Sequence, residues 1–178
     1  MKLRVDSSAP QIKTKDILGE TFDLESLKGQ KVLVSFFRFS NCPFCNLRIH
    51  TLSTQYEKLG IKIVAIFESS NENLQKHLSH YEVPFPVLSD KEGKYYKSYG
   101  LSKSLFGMFK GIVTRPIEML KGISNGKKLL GEIDGNITRM PADFLIDENG
   151  IIKELMYAKD EGEHMDLGVI EKFVKGQL

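Results

Sequence analysis

The chain of 178 residues lacks tryptophan, contains only two cysteines, and has no long uninterrupted apolar run. Two cysteines are too few for the disulfide framework that stabilises many small secreted domains. The longest apolar-leaning stretch, Leu105 to Ile123, is broken by charged residues and a proline, so no segment is typical of a membrane-spanning helix. Basic and acidic side chains nearly balance, at 25 against 23, and form no basic stripe that would indicate a nucleic-acid-binding protein.

No apolar run of signal-peptide length follows the first residues, so we expect a soluble protein located in the cytoplasm. Hydrophobic residues make up 41% of the chain and charged residues 27%, which is typical of a globular protein rather than a disordered one. The length favours one domain over residues 1–178, with an N-terminal extension over 1–30 and an insertion at about 101–136.

Apolar, β-branched runs alternate with segments of helical periodicity along the chain. Asn149-Gly150, between two apolar runs, predicts a hairpin near the C-terminus. The full set of predicted elements is: strands over 31–38 and 61–67, helices over 43–60 and 74–81, an extended segment at 83–88, a helix over 91–99, a helix after Pro116, the hairpin 142–147 with 151–157, and a helix over 167–175. This order predicts an α/β sandwich with a mixed central sheet.

The two cysteines form the motif Cys42-Pro43-Phe44-Cys45, directly between a predicted buried strand and a predicted helix. Two cysteines placed at random would fall three residues apart only about 1% of the time. A thiol at a helix N-terminus has a depressed pKa because unpaired N–H groups and the helix dipole favour an anion. The second thiol, one turn on, is placed to attack a mixed disulfide or a sulfenic acid formed on the first.

Two other interpretations of the pair are open. A structural zinc site would need four ligands, and Cys42, Cys45 and His50 leave the fourth position empty locally. Inert buried thiols are the other alternative, although a strand-to-helix junction is expected to expose a thiol. We favour redox chemistry, with no metal and no cofactor.

Four further stretches accompany the cysteine motif in order along the chain: Ala9-Pro10-Gln11-Ile12, Leu27-Lys28-Gly29, Phe85 to Asp90 with Tyr95 to Gly100, and Pro141 to Gly150. Together with Cys42-Pro43-Phe44-Cys45 after Phe36-Phe37, they resemble the AhpC/TSA family, the peroxiredoxin-like branch of the thioredoxin fold. The resemblance implies a thioredoxin-like three-layer sandwich with a mixed central sheet and an inserted segment before the C-terminal hairpin.

The resemblance also implies roles for residues around the cysteines. Met140-Pro141 matches the cis-proline peptide that faces the cysteine pair in thioredoxin folds, so Met140 and Pro141, with Pro43 and Phe44, are expected to form a substrate groove. Three arginines are candidates for tuning the thiolate: Arg38, Arg48 and Arg139. Elsewhere, we expect Asp143 to face solvent, and we assign no role to His164.

The motif departs from that of peroxiredoxins, which carry Pro-x-x-x-Thr/Ser-x-x-Cys and an arginine on a later strand. Alignment with that pattern puts Cys45 in the peroxidatic position, Cys42 in place of Thr or Ser, and Arg38 in place of Pro. The later arginine position holds Pro141, with Arg139 two residues away. Because two of the usual hydrogen-bond donors to peroxide are missing, these departures favour thiol–disulfide exchange.

Our leading hypothesis is therefore a thiol–disulfide oxidoreductase with antioxidant function, in which Cys42 is the nucleophile and Cys45 resolves. The first alternative is a thiol-dependent peroxidase that reduces hydrogen peroxide or alkyl hydroperoxides, with Cys45 attacking and Cys42 resolving. The second alternative is a non-catalytic binding module that uses the 101–136 insertion, whose Leu105–Ile123 stretch is either a flap, a partner surface or a helix packed on the core. The resemblance implies thioredoxin or glutaredoxin as reductant, and it leaves a homodimer open.

Overall fold

The computed structural model describes residues 1–78, 82–104, 116–125 and 133–178. Its centre is a five-stranded mixed sheet in the order β5-β4-β3-β6-β7. The strands of this sheet are β3 (Val32–Phe36), β4 (Lys62–Phe67), β5 (Val87–Ser89), β6 (Ala142–Ile146) and β7 (Ile152–Tyr157). β3, β4 and β5 run parallel to one another, whereas β6 pairs antiparallel with both β3 and β7.

Within the described residues, five α-helices lie around the sheet, and a short hairpin precedes it. The helices are α1 (Pro43–Leu59), α2 (Asn71–Leu78), α3 (Lys94–Ser98), α4 (Pro116–Asn125) and α5 (Leu167–Val174). The hairpin consists of β1 (Lys13–Lys15) and β2 (Thr21–Asp23), followed by a single 3₁₀ turn over Leu24–Leu27. The first thirty residues, expected to be a polar extension, thus include ordered structure that covers part of the core.

Alternating side chains of the central strands divide the interior into two cores. On β3, Val32, Val34 and Phe36 face one core, and Leu33 faces the other. The core around Leu33 also contains residues of α1, α2 and α5, whereas the opposite core contains the tyrosines of the α3 region and the hairpin residue Phe22. Helices therefore lie on both faces of a mixed sheet, as predicted from the order of elements.

The junction between β3 and α1 places the two cysteines beside the end of the central strand. Cys42 is the N-cap residue of α1, and Pro43 occupies the first turn, where its missing N–H costs no hydrogen bond. Gly60 ends the helix in a left-handed conformation with φ of 61°. Pro43 and Gly60, the two boundary signals in the sequence, predict the helix within one residue at each end.

α4 begins at Pro116, as predicted, and packs against α1. Two parts of the predicted insertion, 105–115 and 126–132, lie outside the described residues, and Phe106, Met108 and Phe109 fall in the first of them. The last three residues of the predicted helix over 74–81 also lie outside the described residues. Within the part of the chain that the structure describes, no helix combines the length and the apolar character needed to cross a membrane.

Candidate active site

Both cysteine sulfurs lie in the interior of the protein. Cys42 and Cys45 are each 0% exposed and are not joined by a disulfide, and they belong to the same core as Phe37, Phe39 and Phe44. The expectation that the strand-to-helix junction exposes a thiol is therefore wrong. Phe37 and Phe39 follow β3, and Phe44 lies within the cysteine motif. Together these three aromatic side chains pack around the junction.

Of the three candidate arginines, Arg38 is the one that reaches the cysteines. Its guanidinium Nη1 donates to Cys42 Sγ at 3.4 Å, and its backbone N–H donates to Cys45 Sγ at 3.3 Å. The same side chain donates from Nη2 to the carbonyl oxygen of Ile137. Arg38 therefore connects both sulfurs to the loop that precedes β6.

This environment separates the acidities of the two thiols. Burial alone would raise the pKa of Cys42, but a hydrogen bond from Cys45 and the positive charge of Arg38 outweigh burial and lower it to about 6. Burial and the hydrogen bond to Cys42 raise the pKa of Cys45 well above its usual range. Near neutral pH, Cys42 is therefore the thiolate and Cys45 keeps its proton.

Glu161 completes the charged part of the site, and sequence reasoning missed it. Its Oε2 lies 2.6 Å from Arg38 Nη1, and the side chains of Arg38 and Glu161 are only 5% and 3% exposed. Burial raises the pKa of Glu161 to about 7 against the opposing effect of Arg38. The two residues are 123 positions apart, and an acidic residue in a polar loop carries no periodic or motif signal.

The other two candidate arginines bind carboxylates instead of sulfur. Arg139 forms a two-point ion pair with Glu68, at 2.7 and 2.8 Å, and its guanidinium stacks on the ring of Tyr96. Arg48 Nη2 lies 3.8 Å from Asp143 Oδ2. The structure therefore brings Arg38 alone of the three into contact with a cysteine sulfur.

Asp143 is buried at 0% exposure, so the expectation that it faces solvent is wrong. Its carboxylate accepts hydrogen bonds from the Ser35 hydroxyl at 2.5 Å and the Met165 backbone N–H at 2.7 Å, and it pairs with His164 Nδ1 at 3.1 Å. Against burial, the His164 and Arg48 side chains hold the pKa of Asp143 well below its usual range. The expectation failed because both faces of β6 are covered, and the face opposite Ala142 lies under the α1 layer.

The expected groove residues occupy different environments. Met140 and Pro141 are buried, and Pro43 is half-buried at the start of α1. The Met140–Pro141 peptide bond is trans, which corrects the expected cis bond. After a turn at Ile137 and Thr138, the chain reaches β6 with a bridge between Lys103 and Arg139, and Ala158 N–H donates to the Pro141 carbonyl. The trans isomer is the lower in energy for a peptide bond that precedes proline.

Phe44 lines a cavity of about 230 Å³ between α1 and the loop before α5. Arg48 and His164 also contribute to its walls. No group of three or more His, Cys, Asp or Glu side chains is placed to hold a metal ion within the described ranges. The dithiol, with Arg38 beside Cys42 and Glu161 beside Arg38, supplies the thiolate and the protonated thiol that two-electron thiol chemistry uses.

Comparison with known proteins gives the same family as the sequence motifs. The sequence model of the AhpC/TSA family matches residues 5–155. A chloroplastic peroxiredoxin Q of Sedum lineare is 31% identical over 113 residues, which is 62% of this chain and 61% of the relative. A protein named as a bcp-type peroxiredoxin of Coxiella burnetii is 30% identical over 118 residues, which is 63% of this chain and 78% of the relative. The chain therefore spans about three fifths of the length of the Sedum protein.

A solved structure resembles the whole chain. The thiol peroxidase from Chromobacterium violaceum superposes with a TM-score of 0.66 and 15% identity, covering 99% of this chain and 88% of that one. This likeness confirms the thioredoxin-like α/β fold predicted from the sequence.

Proposed function

Because this chain belongs to the AhpC/TSA family, we propose that it is a thiol-dependent peroxidase that reduces hydrogen peroxide or small alkyl hydroperoxides. The observation that carries the proposal is the contact between Arg38 Nη1 and Cys42 Sγ inside a closed site. The guanidinium stabilises a thiolate that is positioned to attack an electrophile. The names of the Sedum and Coxiella relatives support peroxide as the substrate.

The burial of both sulfurs supports a small substrate over a large one. Attack on a protein disulfide requires that the target sulfur come into line with the nucleophilic sulfur, and both cysteines are 0% exposed. Hydrogen peroxide is close to water in size and needs far less opening of the site. Peroxide reduction therefore fits the closed site better than the disulfide reduction that we favoured from the sequence.

The reaction proceeds in two steps at the dithiol. A lone pair of the Cys42 thiolate forms a bond to one peroxide oxygen, the O–O bond breaks, and the departing hydroxide or alkoxide takes up one proton. The sulfur becomes a sulfenic acid, oxidised by two electrons. The Cys45 sulfur then attacks the Cys42 sulfur, the sulfenic oxygen leaves as water with the Cys45 proton, and the Cys42–Cys45 disulfide forms.

A dithiol returns the two electrons and completes the cycle. Two thiols of a thioredoxin or glutaredoxin type reductant become a disulfide, and Cys42 and Cys45 are regenerated. Such a protein must gain access to a sulfur that is buried in the reduced form, so reduction requires local opening at the start of α1.

The assignment of Cys42 as the attacking sulfur departs from the alignment with peroxiredoxin motifs, which places Cys45 in the peroxidatic position. The pKa of Cys42 is lowered to about 6, whereas that of Cys45 is raised. Only the first is a thiolate near neutral pH, so the electrostatics favour Cys42.

Intact-protein mass spectrometry of the two single variants tests this assignment. With Cys45→Ser, we expect a sulfenic acid on Cys42 within the first turnover, visible as one added oxygen, and no intramolecular disulfide. With Cys42→Ser, we expect no rapid oxidation of Cys45. Rapid oxidation of Cys45 in Cys42→Ser would instead assign the attack to Cys45, and slow oxidation in both variants and in the wild type would refute the peroxidase proposal.

A further inference from the structure

One guanidinium nitrogen in the site is shared by two acidic groups. Arg38 Nη1 lies 2.6 Å from Glu161 Oε2 and 3.4 Å from Cys42 Sγ. Arg38, Glu161 and Cys42 are all buried, so water does not screen their charges. Arg38 Nη1 therefore lies between the Glu161 carboxyl group and the Cys42 sulfur and contacts both.

A single cation in a buried site cannot stabilise two anions equally. If Cys42 and Glu161 were both ionised, the three groups would carry a net charge of −1 away from water, which is costly. Neutrality is reached when one of the two acids keeps its proton. Peroxide is attacked by the thiolate, so in the reactive form of the site the proton resides on the carboxyl group, in line with the raised pKa of Glu161 and the lowered pKa of Cys42.

We propose that Glu161 is the general acid of peroxide reduction, donating its proton to the oxygen that leaves when the Cys42 thiolate attacks. This role rests on the proposed peroxidase function. In the step, a Cys42 lone pair forms the S–O bond, the O–O bond breaks, and the departing alkoxide or hydroxide takes the carboxyl proton and leaves as an alcohol or water. Glu161 becomes a carboxylate and pairs with Arg38.

Charge neutrality is conserved across that step. Before attack, the site holds a thiolate, a guanidinium and a neutral carboxyl group. After attack, it holds a neutral sulfenic acid, the same guanidinium and a carboxylate. The ion pair that Arg38 loses with sulfur is replaced by the ion pair at 2.6 Å with Glu161, so no isolated buried charge forms.

The other acidic groups near Cys42 are less suited to this transfer. Cys45 has a pKa raised well above its usual range and donates its hydrogen bond to the attacking sulfur itself. The Tyr96 hydroxyl is directed to the backbone carbonyls of Phe37 and Ile66, and burial raises its pKa still further. Asp160, beside Glu161, adds negative charge that favours the protonated form of Glu161.

The rate of Cys42 oxidation in Glu161→Gln, measured with two peroxides, tests the proposal. Hydrogen peroxide expels hydroxide, which needs a proton, whereas peracetic acid expels acetate, a far weaker base that does not. We expect Glu161→Gln to slow the reaction with hydrogen peroxide by about 100-fold, within the range typical of general acids. We expect the reaction with peracetic acid to change by less than about 3-fold, because no proton donation is needed.

Glutamine also separates proton donation from an electrostatic or structural role. It can still accept from Arg38, and it is uncharged like the protonated Glu161 side chain that it replaces, so the thiolate fraction of Cys42 should not decrease. A loss of reactivity confined to hydrogen peroxide therefore cannot come from a missing thiolate. Equal slowing with both peroxides, or no slowing with either, would overturn the role of Glu161.

Glu163→Gln is the matched control, since Glu163 lies in the same loop, accepts from the Lys159 backbone N–H, and does not contact Arg38. We expect this variant to react with both peroxides at the wild-type rate. If the wild type itself reacts with hydrogen peroxide no faster than a free thiolate does, the peroxidase proposal fails. If the wild type is fast and Glu161→Gln is equally fast, only the general-acid proposal fails.

Discussion

Arg38 is the residue on which the acidity of the site depends, because its guanidinium is the cation in contact with Cys42. Arg38→Met should raise the pKa of Cys42 above about 6, since burial is then opposed only by the hydrogen bonds from the side chain and the backbone of Cys45. Thiolate absorbance at 240 nm, followed against pH, measures this shift.

The rate of peroxide reduction should depend on both the Cys42 thiolate and the Glu161 proton. In the wild type it should rise as the pH increases through about 6, where Cys42 ionises, and fall as the pH increases above about 7, where Glu161 loses the proton that it donates. Arg38→Met should move this rise to higher pH and lower the rate at pH 7 by at least about tenfold, whereas Arg38→Lys, which keeps the charge, should show a smaller shift. An unchanged profile in Arg38→Met would contradict the role of the guanidinium.

Asp143 is a second buried charge, and its contribution is to stability rather than to the thiols. Asp143→Asn leaves His164 and Arg48 without a carboxylate in a buried position, so we expect the free energy of unfolding to fall by about 3 to 5 kcal/mol. Because the pKa of Asp143 is lowered in the folded state, this stabilisation is present above the ordinary carboxyl range and declines as the pH falls below it.

Urea denaturation at pH 7 and at acidic pH measures this contribution. Asp6→Asn is the matched control, since Asp6 pairs with Lys153 at the surface, where such pairs contribute at most about 1 kcal/mol. Equal stabilities of Asp143→Asn and Asp6→Asn at pH 7 would contradict the account of Asp143.

Between elements, a chain of hydrogen bonds connects the loop before β6 to the loop that carries Cys42. Asp134 Oδ1 accepts from the Ser69 hydroxyl at 2.6 Å, and Ser69 Oγ accepts from the Ser40 backbone N–H at 2.9 Å. Asp134 Oδ2 also accepts from the Ser70 N–H just before α2, at 2.7 Å. This chain holds Ser40, two residues before Cys42, in place.

Asp134→Ala should therefore reduce the free energy of unfolding by about 1 to 2 kcal/mol, as loss of a helix-capping side chain does. It should also increase amide hydrogen exchange at residues 39–41. Asp134→Asn retains an acceptor oxygen and should lose less than half as much stability. If alanine and asparagine behave alike, the carboxylate does not hold this loop.

At the scale of the whole molecule, the closed fold should discriminate by reagent size. In the native protein, we expect Ellman's reagent, a bulky disulfide, to react with the thiols at least about tenfold more slowly than with the unfolded chain, because both sulfurs are buried. Thiol labelling with and without denaturant measures this ratio. Native labelling as fast as unfolded labelling would show that large substrates reach Cys42 freely and would favour disulfide exchange.

The order of strands and helices could be predicted from the sequence because each element carries a local signal. Pro43 and Gly60 bound α1, and Asn149-Gly150 marks the turn between β6 and β7. The pairing of β3 with β6, by contrast, joins residues more than a hundred positions apart. That pairing brings Ser35 to Asp143, and no local pattern predicts which carboxylates it buries.

The cysteines could be predicted as the reactive centre, but the groups that tune them could be predicted only in part. The sequence makes Arg38, Arg48 and Arg139 equal candidates for tuning the thiolate. In the structure, Arg48 and Arg139 pair with Asp143 and Glu68 instead, and of the three only Arg38, four residues before Cys42, contacts a sulfur. Glu161 reaches Arg38 only through the folding of the loop after β7. Long-range contacts of this kind depend on the assembled layers, not on spacing along the chain.

The most direct test of the central claim is the second-order rate constant for thiol loss when the fully reduced protein reacts with hydrogen peroxide. Quenched-flow thiol titration suits a chain that lacks tryptophan. A site in which Arg38 stabilises the Cys42 thiolate and peroxide is activated should react orders of magnitude faster than a free thiolate at the same pH. A rate no faster than that of a free thiolate would contradict the account and would favour thiol–disulfide exchange over peroxide reduction.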